Sequence, residues 1–170
     1  MLSDKLVKLI EENAEKLTAR WIEDVTTNSS TPSYKNFSRD ELHNKVYDVY
    51  QRLGHWLEGG TTKQEIARHY TRVGRTRCLE KFKLSEVIYA TILAKRHLLL
   101  FIDEQGFFHD MYGARIQLEF HDRINVFFDK IIFFETLGYE NAYVIEETFY
   151  AQNGMFDKIV AGFANWIIKK

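Results

Sequence analysis

The stretch LSEVIYATILAKRHLLLFI, residues 84–102, decides the fold class. At about 100° per residue, Leu84, Ile88, Ile92, Leu99 and Ile102 share one face, and Val87, Thr91, Ala94, Leu98 and Phe101 widen it. Leu93 and Leu100 add apolar groups on the side that carries Glu86 and His97. A helix that is apolar nearly all round belongs at the centre of a helical domain. Arg96 falls with Ser85 and Tyr89 on the more polar side, but Lys95 projects from the middle of the predicted apolar stripe. A lone ammonium in a dry core is costly, so Lys95 needs a partner, a path to water along its stem, or loss of its proton.

The segments on either side also carry helical periodicity. From 3 to about 25, Leu6, Ile10, Leu17 and Trp21 recur at helical spacing and predict an amphipathic first helix. The segment TTNSSTPSYKNFS, which holds the single proline Pro32, reads as an extended loop. Ser38 then starts a second helix, because an acid three residues after a serine is the capping-box pattern. Its stripe runs through Leu42, Val46, Tyr50, Leu53, Trp56 and Leu57 to a stop at Gly59 and Gly60.

A third helix is predicted from 61 or 62 to about 80, with a thin apolar face of Ile66, Tyr70 and Val73 beside His69. Gly74 offers a place where another backbone can approach closely. Residues 84–102 form the fourth helix, ending near Gly106. A fifth is expected from 110 to 136, closed by Gly138. A sixth runs from 139 to 170 and carries Ile145, Phe149, Phe156, Ile159, Val160, Phe163 and Ile167, with Trp166 near its end. No segment alternates like a strand between hairpin turns. The expected architecture is one all-α domain over 1–170, with about six helices in a bundle or globin-like packing.

Composition narrows the partners. With 23 Lys plus Arg against 24 Asp plus Glu, the formal net charge is -1, so no global field attracts nucleic acid or an anionic membrane. The basic run RHYTRVGRTR has acidic flanks and no reader motif, and is expected to be a solvated face or a site for an acidic protein. The apolar run LLLFI falls far short of the roughly 20 residues that span a bilayer, and the N-terminal charge pattern is unlike a signal peptide. A lone Cys78 fits a reducing compartment. These features predict a soluble cytoplasmic protein that neither binds nucleic acid nor inserts into membranes.

Catalytic signatures are missing. There is no glycine-rich phosphate loop, no HExxH, no CxxC and no GxSxG. Glu65 with His69, and Glu86 with His97, could serve as acid–base pairs, but a helix-surface salt bridge needs fewer assumptions. No catalysis and no metal site are expected. Of the histidines, His55 projects outward, while His69, His97 and His109 lie toward apolar sides. Hydrogen-bonded boundary imidazoles are the simplest reading of these. The functional reading is a small cavity at Lys95, His69, Tyr70 and His97 for an anionic or polar ligand, with no cofactor. The alternative is a haem sensor in which His69 or His97 is the axial ligand.

Several stretches together resemble the N-terminal sensory domain of the RsbT co-antagonist family of stressosome proteins, also found ahead of some bacterial histidine kinases. They are WIEDV, FSRDEL with LGHWL, YTRVGRTRCLEKFKLSEVIYATILAKRHLLLFI, and FFDKIIFFETLGYENA. Lys95-Arg96 resembles the family's basic pair, and Gly74, Leu84 and Gly138 match its punctuating positions. The resemblance implies a bacterial signal-input module in stress response. Such a module is haem-free, globin-like and non-enzymatic; it dimerises and acts through an output protein or domain. One departure is that such domains normally precede an output domain whereas this sequence stops at WIIKK, so the expectation is either a free-standing member or an excised fragment.

Overall fold

A computed structural model describes the backbone of residues 2–57, 63–105 and 111–168, and the side chains of 4–57, 63–105, 113–145 and 147. The described residues form seven α-helices and no strand: α1 Leu2–Glu12, α2 Ala14–Thr27, α3 Arg39–Gln51, α4 Leu53–Leu57, α5 Lys63–Leu79, α6 Leu84–Glu104 and α7 Met111–Ile168. A 3₁₀ turn, Pro32–Asn36, joins α2 to α3. The all-α class read from periodicity is the one observed.

The expected first helix is two. Asn13 turns its side-chain amide onto the Leu9 carbonyl at 2.8 Å, a local hydrogen bond that competes with helix continuation. The apolar line survives the break, with Leu6, Ile10, Ala14, Leu17, Trp21 and Val25 all buried. The second helix starts as predicted: the Glu41 amide donates to Ser38 Oγ at 3.3 Å and the Ser38 amide donates to Glu41 Oε2 at 2.8 Å. It breaks at Arg52, and α4 brings Gly54 onto α1, where its amide donates to Glu11 Oε1 at 2.8 Å. The stop assigned to Gly59 and Gly60 lies outside the described residues, as do Gly106 and His109.

Helix α5 closes with Lys81 in the left-handed region at φ 65°. The Phe82 amide donates to the Arg77 carbonyl at 3.1 Å and the Lys81 amide to the Cys78 carbonyl at 2.9 Å. This pair of bonds is a Schellman motif, and it drops Phe82 into the ring cluster with Tyr34 and Phe37.

Helix α6 is central, and its inward face is one flank of the predicted stripe. Val87, Ala90, Ala94, Leu98 and Phe101 are buried, whereas Ile92 is 38% exposed. The core-facing stripe keeps the predicted Val87, Ala94, Leu98, Phe101 and Ile102 and turns away from the Ile88–Ile92–Leu99 line. The reason is backbone access: Ala90 and Ala94 are small enough for Trp21 Nε1 to reach the Ala90 carbonyl at 2.8 Å and Tyr50 OH the Ala94 carbonyl at 3.0 Å.

The expected fifth and sixth helices are one, α7, of 58 residues and about 87 Å at 1.5 Å per residue. Gly138 does not close a helix. It sits inside α7 against α5, where a Cβ would run into the Thr71 carbonyl, just as a Cβ on Gly74 would run into the Glu135 carbonyl. Close packing here outweighs the roughly 1 kcal/mol that a glycine costs within a helix. The side chains of Phe149, Phe156, Ile159, Val160, Phe163, Trp166 and Ile167 lie outside the described residues.

Candidate functional site: a cavity against the long helix

A cavity of about 260 Å³ opens between α3 and α5, with its floor on α6 and α7. Exposed Asn44, Arg72 and Thr76 form its mouth, and Val46, Val73, Val87, Ala94, Phe128 and Ile131 supply apolar wall. The regular 3.6-residue period of four helices places these side chains, since each faces the core from its own axis.

Polar groups interrupt that wall. Glu135, 6% exposed, comes from the core stripe of α7 one turn beyond Ile131. Its Oε2 accepts the Thr91 hydroxyl at 2.7 Å, and Oε1 accepts no described hydrogen bond. Burial pushes its carboxyl up to about 7, against the Thr91 hydrogen bond and the Arg77 charge, which both favour ionisation. Tyr70 is 2% exposed, and among the described residues no group hydrogen-bonds its hydroxyl. Burial holds that hydroxyl well above the usual tyrosine range, helped by the negative fields of Glu135 and Asp48. Asp48 also leaves one buried oxygen, Oδ2, without a partner among the described residues, while Oδ1 lies 3.4 Å from Arg52.

Two cations share one acid at the rim. Lys45 Nζ lies 2.7 Å from Glu80 Oε1, and Arg77 Nη1 lies 3.2 Å from Glu80 Oε2. Desolvation lowers the Lys45 pKa first, the neighbouring Arg77 charge adds to it, and Glu80 opposes both. His69 is half-buried, its ring 5.0 Å from Trp56 and 4.8 Å from Tyr70, and burial lowers its pKa. At neutral pH it is an uncharged wall.

Of the residues predicted for a site, His69 and Tyr70 line this cavity, and Lys95 and His97 do not. Lys95 has a 22% exposed side chain and lies 3.6 Å from Asp129 on α7. It stands beside the core, on the partly exposed Ile88–Ile92–Leu99 line, because α6 is turned. His97 faces α2 instead, its Nε2 2.9 Å from Asp24 Oδ2. His97 Nε2 is engaged by Asp24, and His69 stands beside a cavity of about 260 Å³. Among the described residues, no group of three or more His, Cys, Asp or Glu side chains is placed to hold a metal ion.

Glu135, Arg77, Lys45 and Asp48 escaped the sequence reading. Two left a signal. Glu135 continues the Phe128–Ile131 line of α7, and Arg77 continues the Tyr70–Val73 line of α5, so each is a charge on an inward face. Lys45 and Asp48 flank Val46 without any such mark.

Among the described residues, no helix is long and apolar enough to cross a membrane. No curated protein and no solved structure matches the chain. A family model described as histidine kinase N terminal matches residues 3–141. That span begins in α1 and ends one residue before Ala142, the last buried side chain among the described residues of α7. It covers well over half of the sequence, and on that ground the chain belongs to the family of histidine kinase N-terminal domains, which are domains of the signal-input type.

Proposed function

We propose that this domain senses a small ligand in the α3–α5–α6–α7 cavity and passes its occupancy along α7 to an output protein or domain, without catalysis. One observation carries the reading. Phe128, Ile131 and Glu135 line the cavity on the same helix that crosses α5 at Gly138 and then continues past the buried core to Ile168. A ligand shifts such a packing only by binding one arrangement better than another.

The outer side of α7 supports a dimeric form of this reading. Val126, Phe133, Leu137 and Val144 are exposed apolar residues at steps of seven, four and seven, which is the seam spacing of paired helices. Phe133 is 62% exposed. The lone Cys78 and the N-terminal charge pattern support a cytoplasmic setting, and the stretches that resemble the RsbT co-antagonist sensory domains support a role in stress signalling.

The coupling is tested by filling the cavity from its rim with Val73→Phe and following amide exchange in α7. The expected result is a severalfold change in exchange rate over residues 136–147 with the helical content retained. Unchanged exchange there, in a folded variant, would remove the proposed path.

A further inference from the structure

The cavity's charges cancel, and its free hydrogen-bonding groups do not. Lys45 and Arg77 are offset by Glu80 and an ionised Glu135, and Asp48 is offset by Arg52. His69 is uncharged, and Arg72 stands exposed in water at the mouth. A charged ligand would therefore bring one uncompensated charge into a largely desolvated site, at high cost. What remain unsatisfied are the Tyr70 hydroxyl and Asp48 Oδ2, with Glu135 Oε1 also accepting no described bond. Tyr70 and Glu135 both line the cavity, and a hydroxyl carries the donor that a carboxylate needs and the acceptor that a phenol needs.

Resting on the ligand-sensing reading above, we propose that the cavity binds a neutral, compact molecule that joins an apolar body to a hydroxyl group, held by Glu135 and Tyr70. The volume of about 260 Å³ equals roughly nine liquid waters, which admits a single substituted ring or a short branched chain. Valine, alanine and phenylalanine walls meet the body, and the two polar groups fix its head. Selectivity follows from the pair: an apolar molecule lacking the hydroxyl leaves both groups unmet.

Three molecules with one body separate the classes: benzyl alcohol, benzoate and benzylamine. Each is titrated calorimetrically into the full chain, and into Tyr70→Phe, at about pH 8, where the Glu135 carboxyl is ionised. Benzyl alcohol is expected to bind at least about tenfold tighter than either ion. Tyr70→Phe should weaken it about fivefold or more without lowering the unfolding midpoint, because the hydroxyl has no protein partner to lose. Equal or tighter binding of benzoate or benzylamine overturns the proposal, as does failure of all three to bind or an unchanged affinity in Tyr70→Phe. The Val73→Phe exchange experiment needs no ligand, so a wrong ligand class and an uncoupled cavity give different results.

Discussion

Gly74 of α5 lies directly against the backbone carbonyl of Glu135 in α7. The reciprocal contact, Gly138 on the Thr71 carbonyl, makes the crossing backbone on backbone. The same residue, Glu135, therefore gives its carbonyl to the helix crossing and its carboxyl to the cavity.

Two effects compete when either glycine becomes alanine. Helix propensity favours alanine by about 1 kcal/mol, while the added methyl meets backbone that has no rotamer to change. Overpacking wins: Gly74→Ala and Gly138→Ala are each expected to destabilise by roughly 3 kcal/mol or more, measured by denaturant unfolding. A gain in stability would mean the helices do not touch at these points.

Glu135 makes stability fall as pH rises. Its carboxyl protonates near 7 when folded and at the ordinary 4.5 when unfolded. Between these values the folded state holds the extra proton, so stability is greatest below about 4.5 and declines toward 7, by roughly 3 kcal/mol at most. His69, whose pKa burial lowers, acts in the opposite direction and loses stability as pH falls through its unfolded value. The Glu135→Gln variant isolates the first effect: its stability relative to the parent should rise between about pH 5 and 7. A parallel pair of curves would place the Glu135 carboxyl in water.

Lys95 and Glu86 exchange the importance that their positions in the sequence suggest. Lys95 pairs with an exposed Asp129 at 3.6 Å, so Lys95→Met should change stability by less than about 1 kcal/mol. Glu86 is buried and accepts from the Ser33 amide at 2.8 Å and the Ser33 hydroxyl at 3.0 Å. Glu86→Ala leaves both donors unmet and should cost about 3 kcal/mol, read by thermal or denaturant melts. The reverse order would contradict the observed facing of α6.

On the outer face of α7, the double change Phe133→Glu and Leu137→Glu touches exposed positions, so the fold should lose less than about 1 kcal/mol. Self-association, followed by sedimentation over a range of concentrations, is expected to weaken by more than about tenfold. An unaltered association would move the interface elsewhere.

The helices were legible wherever local chemistry is sufficient. Ser38 and Glu41 form their capping box from neighbours alone, and the lines through Leu42, Val46 and Tyr50, and through Ile66 and Tyr70, face the core as their spacing predicts. His69 and Tyr70 could be named as site residues for that reason, because the thin apolar face of α5 leaves them few directions to point. Gly138 was not legible. A glycine ending a helix and a glycine beneath a crossing helix have the same local sequence signature, and only the arrival of Thr71 distinguishes them.

Sequence by itself determined that this chain is helical, where most of the helices lie, and that α5 has a place for close approach at Gly74, since these follow from periodicity, caps and the missing Cβ. Tertiary structure alone decided which flank of the α6 stripe faces inward, that α7 runs unbroken, and that Lys45, Tyr70, Arg77 and Glu135 share one cavity. A helix apolar on nearly every side fits a core in several rotations, and the one adopted is chosen by Trp21 and Tyr50 reaching the Ala90 and Ala94 carbonyls. Those partners lie 69 and 44 residues away along the chain, beyond the reach of any local pattern.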